Sequence, residues 1–163
     1  MVGFAFRGAA VAMLLALAPP GLAAPPAPAP ESLPDQARGA AAAVDAFHAA
    51  LRSGDPQAAL ALMADDASVF EDGRIERTKA EYALHHAGAD AAFSKAVKSK
   101  RLSRTGQATA DIAVIASESR TRGRFRGEEV DRIMVETMVL RRGSEGGWKI
   151  VHIHWSSAMP ATE

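Results

Sequence analysis

The chain has 163 residues with 19 basic and 19 acidic side chains, and it contains no cysteine. The missing cysteines exclude disulfides, lipid attachment and thiol chemistry. The balanced charge gives no basis for a nucleic-acid partner or for docking on an anionic membrane.

In chain order, residues 1–23 carry the marks of a signal peptide. Arg7 makes a positive start, Gly8 to Ala18 form an apolar stretch too short to span a bilayer, and Gly21-Leu22-Ala23 is a small-x-small cleavage site. The expectation is an exported protein, periplasmic or secreted, with no membrane association once the signal is cut. Seven of the nine prolines lie between Pro19 and Pro34. Residues 24–34 therefore read as an Ala/Pro-rich linker, and residues 35–159 as one domain.

The domain opens helically. Ala42, Val44, Phe47, Ala50 and Leu51 recur at helical spacing, and Gly54 is a stop signal. Asp55 caps a second helix with Pro56 at its first position, running through Leu60 and Met63. Ala67 to Glu71 reads as a strand, Asp72-Gly73 as a turn, and Arg74 to Arg77 as a short return arm. Thr78-Lys79-Ala80-Glu81 is a capping box that opens a third helix to about Ala87. Residues 88–97 fit helix or irregular structure. Strands follow at about Ser99–Arg104, Thr109–Arg120, Phe125–Arg142 and Trp148–Ala158, with turns expected at Gly123 and at residues 143–147. Helices first and an antiparallel meander afterwards predict an α+β domain, with three helices on one face of a curved sheet.

The last strand, Trp148 to Ser157, is the most informative segment. At period two, Trp148, Ile150, His152, His154 and Ser156 share one face, while Val151, Ile153 and Trp155 share the other. Neither face is simply wet, which suggests helices packed against one side and a cavity on the other, with both histidines pointing into it. Glu136 is the outlier in an otherwise apolar run, Ile133 to Leu140. A buried carboxylate needs a partner, and His152 or His154 on the adjoining strand is the expected one.

The helix order, Gly54-Asp55, Ala64-Asp65-Asp66-Ala67-Ser68-Val69 and the closing Trp148…His152-Ile153-His154-Trp155 resemble the nuclear-transport-factor-2-like superfamily. Within it the chain resembles the SnoaL-like group, over residues 36–158. The resemblance implies a cystatin-like cone, a conical cavity between sheet and helices, and a homodimer. From Gly54-Asp55 to Glu71 the segment is also similar, without a gap, to the ketosteroid isomerases, whose catalytic carboxylate falls on Glu71. Their helix-one tyrosine falls on Phe47, which cannot donate a hydrogen bond to a developing enolate, and their second oxyanion-hole acid has no clear match. The resemblance therefore does not extend to a steroid isomerase.

The expected pocket lining is Glu71, Tyr82, His86, Glu136, His152 and His154 among apolar side chains, a mix suited to a small-molecule ligand. Glu71 shares its strand face with Val69, and burial there would raise its pKa toward that of a general base. Tyr82 and His86, four apart on the third helix, share a face. No cofactor motif is present and no cofactor is expected. A His-x-His pair on a strand could hold metal with His86 or Glu71, but the pattern lacks specificity and pocket hydrogen bonding is preferred. Arg120, Arg122, Arg124 and Arg126 alternate and read as a solvated hairpin. The leading function is a small-molecule binder. The alternatives are an isomerase, dehydratase or cyclase that uses Glu71 or a histidine as base, and a structural dimerisation module.

Overall fold

The computed structural model describes residues 32–161; the expected signal peptide and most of the linker lie outside them. Helix α1 (Asp35–Ser53) buries Ala37, Ala40, Ala41, Val44, Phe47 and Leu51 along one stripe. Small alanines on that stripe let the helix approach the sheet closely. It ends where Gly54 takes φ 81°, a left-handed conformation that glycine adopts without steric cost. In helix α2 (Pro56–Ala61) Pro56 occupies the first turn and the Asp55 carboxylate accepts from the Ala58 N–H at 3.0 Å. The helix ends two residues before Met63, which already belongs to the following strand.

Strand β1 (Met63–Glu71) and the short β2 (Arg74–Glu76) form a hairpin around Asp72 and Gly73, both at positive φ. Thr78 caps helix α3 (Lys79–His85): its hydroxyl accepts from the Glu81 N–H at 3.1 Å. The Glu81 carboxylate reaches back to the Arg77 N–H at 2.7 Å, a capping box closed one residue early. The segment that was ambiguous in sequence forms a fourth helix, α4 (Ala87–Ala96).

Four long strands follow: β3 (Val97–Ala108), β4 (Ile112–Phe125), β5 (Glu128–Arg142) and β6 (Trp148–Ala158). The β4–β5 turn falls on Arg126 and Gly127, both at positive φ, so Gly123 lies within the strand rather than in the turn. The sheet order is β2-β1-β6-β5-β4-β3. All neighbours are antiparallel except β1 and β6, which pair in parallel, so the sheet is not a pure meander.

Two register shifts decide which side chains face the helices. On β6, Ile150 pairs with Leu140 but His152 pairs with Val139, leaving Val151 as an extra residue. On β3, Arg101 pairs with Ser119 but Ser103 pairs with Glu118, leaving Leu102 extra. Each bulge inverts the alternation beyond it. As a result Trp148 and Ile150, then Ile153 and Trp155, all face inward onto α1 together with Val69, Ile115, Met138 and Leu140. Fully burying each of the large aliphatic side chains contributes about 1.5–3 kcal/mol.

Candidate functional site

Between α1, α4 and the inner face of the sheet lies a cavity of about 490 Å³. Its apolar wall comprises Leu51, Phe93, Val97, Met134 and Trp155, and its polar groups come from three directions. Helix α1 supplies Asp45, His48 and Arg52, spaced three and four residues apart on one face beside the buried stripe. The sheet supplies a row across five strands. Arg104 pairs with Ser117, Ser117 with Glu136, Glu136 with Trp155 and Trp155 with Glu71. Glu136 and Glu71 are two strand spacings apart, about 10 Å at the backbone. Helix α4 supplies Asp90.

Glu136 is the best-held carboxylate. Its Oε2 accepts from the Trp155 indole N–H at 2.7 Å and from His48 Nε2 at 2.7 Å. Burial pushes its pKa up, but the His48 bond and charge, the Trp155 N–H and the Arg104 charge outweigh this and hold it below the ordinary carboxylate range. An ionised carboxylate only accepts, so His48 Nε2 is the donor. Oε1 is buried without a hydrogen-bond partner among the described residues.

Glu71 behaves oppositely. Burial first, then the charges of Asp90 and Asp72, raise its pKa to about 7. Asp90 is also raised, chiefly by burial, although it accepts from the Tyr82 hydroxyl at 2.8 Å. A carboxyl group near pKa 7 in a cavity is matched to taking and returning protons at neutral pH.

Of the residues singled out in sequence, Glu71 and Glu136 line this cavity. Tyr82 does not: it is fully buried behind the wall and reaches the cavity only through Asp90. Burial pushes its phenol further from ionisation. His86 sets Nδ1 against the Glu76 carboxylate, away from the lining.

His152 and His154 point to the outer face of the sheet, because the extra residue Val151 inverts the alternation before them. His152 Nδ1 bonds the Ser68 hydroxyl at 2.9 Å and its ring meets Phe70 edge-on, with centroids 4.9 Å apart. Burial, and then the neighbouring His154, lower its pKa. The expected pair of Glu136 with a β6 histidine is thus replaced by Glu136 with His48 and Trp155. Glu71 faces inward while both histidines face outward, so the three cannot converge on a metal.

Sequence reasoning missed His48, Asp90, Asp45 and the two arginines of β3. The polar stripe Asp45–His48–Arg52 on an otherwise apolar helix could have revealed the first of these. The arginine row could not be found without the bulge at Leu102. In the β4–β5 hairpin, Arg120 and Arg122 pair with Asp131 across the strands.

Helices on the concave side of a six-stranded, mostly antiparallel sheet define the cystatin-like, nuclear-transport-factor-2-like class of α+β proteins. Within it the chain belongs to the SnoaL-like domain family, whose model matches residues 40–161. A solved structure from Shewanella frigidimarina, described as a "putative ketosteroid isomerase", is 36% identical, with a TM-score of 0.69 over 72% of this chain and 94% of that one. A Xanthomonas campestris protein, described as a "putative calcium/calmodulin dependent protein kinase II association domain", is 25% identical, with a TM-score of 0.66 over 80% of this chain and 94% of that one. A Streptomyces avermitilis protein described as a "putative dehydratase" of the family shares the fold at 18% identity, with a TM-score of 0.64 over 76% of this chain and 96% of that one. None of the curated proteins matches the sequence.

Proposed function

We propose that the cavity binds a small, partly apolar carbonyl compound and that Glu71 moves a proton on it, as an isomerase or dehydratase does. The observation that carries this reading is the Glu71 carboxyl, set in the cavity wall and raised to about 7. Glu71 takes a proton from the carbon beside the carbonyl, and the electron pair moves onto the carbonyl oxygen. Asp90 also lines the cavity; when it carries a proton it can donate to that oxygen, and the raised pKa of Glu71 then rests on burial, its largest cause. Returning the proton to a different carbon completes an isomerisation; loss of a protonated hydroxyl as water completes a dehydration. Phe47, fully buried, offers no donor, so the reaction does not rest on a helix-one phenol.

The test is exchange of solvent deuterium into the α-carbon of a panel of apolar ketones, steroids among them. The wild-type protein exchanges at least one, and Glu71→Gln, folded by circular dichroism, loses about 100-fold or more. Ligand-dependent stabilisation without exchange in the wild type would leave a binding protein and refute the base.

A second copy of the chain is the partner we infer for the outer face of the sheet. Phe70, Val114 and Val135 lie exposed there, Val135 at 47%. The Xanthomonas relative described as an association domain supports this reading. Sedimentation equilibrium should show a dimer for the wild type and a monomer for Val135→Glu; a wild-type monomer at 0.1 mM refutes it.

A further inference from the structure

The charged side chains of the cavity are largely engaged within the protein. Arg101 and Arg104 both donate to Asp45 Oδ1, at 3.0 and 2.8 Å, and the Arg104 charge also acts on Glu136. Asp90 holds the Tyr82 hydroxyl at 2.8 Å. His48 is different, because only one of its two ring nitrogens is used. The side chain lines the cavity and is 30% exposed. Its Nε2 donates to Glu136 Oε2 at 2.7 Å, and its ring meets Phe47 edge-on, with centroids 5.6 Å apart. The bond to Glu136 keeps a proton on Nε2, so Nδ1 is the nitrogen left for another group. Nδ1 has no hydrogen-bond partner among the described residues, and unlike Glu136 Oε1 it is not a buried atom. Glu136 cannot meet a ligand itself, since its Oε2 already takes two donors and its Oε1 is buried. The carboxylate therefore acts on the cavity through the imidazole that it holds.

We infer that His48 Nδ1 anchors a hydroxyl group of the ligand, so that the cavity takes a neutral hydroxylated ketone, with Glu136 as the positioning residue that orients the imidazole. A hydroxyl suits either protonation state of the ring: it donates to Nδ1 of the neutral imidazole and accepts from Nδ1–H of the charged one. A charged ligand fits less well at this end, where a carboxylate would stand against Glu136 and an ammonium against Arg104. Glu136 and Glu71 stand about 10 Å apart at the backbone, with Trp155 between them. The hydroxyl and the carbonyl therefore belong at opposite ends of an apolar body lying over Leu51, Met134 and Trp155. The inference rests on the proposed reading of a ketone in this cavity but not on Glu71 acting as a base.

The experiment is titration calorimetry with two matched ketones, 2-acetonaphthone and 6-hydroxy-2-acetonaphthone. The wild-type protein should bind the hydroxylated compound roughly tenfold tighter or more. His48→Phe, checked for fold by circular dichroism, should bind both within about twofold of each other. Glu136→Gln keeps an acceptor for His48 and Trp155 and should retain most of the preference, whereas Glu136→Leu should lose it. A readout that needs no variant is the nitrogen-15 spectrum of the wild-type histidines: the His48 Nδ1 signal should move with the hydroxylated ketone and stay with the other. Equal binding of the two ketones, binding of neither, a preference that survives His48→Phe, or a Nδ1 signal blind to the hydroxyl overturns the inference. Hydroxyl-selective binding with no deuterium exchange into either ketone would remove the base and leave the His48 anchor standing. Exchange into both without hydroxyl preference would do the reverse.

Discussion

Glu136 on the inner face of β5 and His154 on the outer face of β6 sit one strand and one residue apart, and their surroundings are opposite. Glu136 is enclosed, holds His48 and Trp155 through one oxygen, and stays ionised despite burial. His154 is exposed to solvent on a face shared with Val135 and Ser156. The difference comes from direction rather than residue type. A polar group turned into the cone must find partners, and those partners give it a defined protonation state; the same group turned outward has water. Within the cavity the contrast recurs between Glu136, charged because donors converge on it, and Glu71, pushed toward neutrality because none of comparable strength does.

The sharpest way to break this comparison is to shift the alternation of β6 by one residue. Inserting one alanine between His152 and Ile153 shifts the alternation beyond it by one residue, so Ile153 and Trp155 turn outward while His154 turns in. The expected loss exceeds roughly 5 kcal/mol, comparable to the stability of an ordinary domain. Circular dichroism and thermal melting should show little or no cooperative unfolding; a native-like melt would mean that the alternation of β6 does not set which side chains face inward.

A smaller effect separates the two polar groups directly. Glu136→Ala leaves the Trp155 and His48 donors without their acceptor and should cost about 3 kcal/mol in urea denaturation. His154→Ala should stay within about 0.5 kcal/mol, as exposed substitutions do. Similar losses for both would erase the inner–outer distinction.

The smallest effect tests the two carboxylates of the cavity against each other. The folded Glu71 pKa of about 7 lies above the ordinary value of 4.5, so the folded state holds a proton that the unfolded chain releases. Its destabilising contribution is absent below pH 4.5, grows as pH rises toward 7, and is constant above. Glu71→Gln should therefore stabilise the protein at pH 8 by roughly 1–2 kcal/mol, after discounting for partial solvent screening, and leave it unchanged near pH 4. Glu136, held low, gives no such gain. Melting curves of Glu71→Gln at the two pH values would decide, and a destabilised variant at pH 8 would contradict the raised pKa.

Much of this architecture was legible locally. Gly54, the Asp55-Pro56 cap, Asp72-Gly73 and Thr78 fix helix ends and turns through backbone conformations and short-range hydrogen bonds, which depend only on adjacent residues. Glu71 could be placed on the face of Val69 because the end of β1 alternates without interruption from Ala67 onward. Glu136 announced that it needs a partner, because a charge in an apolar run always does.

What the tertiary structure alone decided is which partner it has and which way β6 and β3 face. His48 lies 88 residues from Glu136 and meets it only because α1 packs across the sheet. The extra residues Val151 and Leu102 differ in no local way from their neighbours; they become bulges only when a partner strand sets the register. A period of two carries no memory of such an insertion, so one unpaired residue sends two histidines out to solvent and two arginines into the cavity.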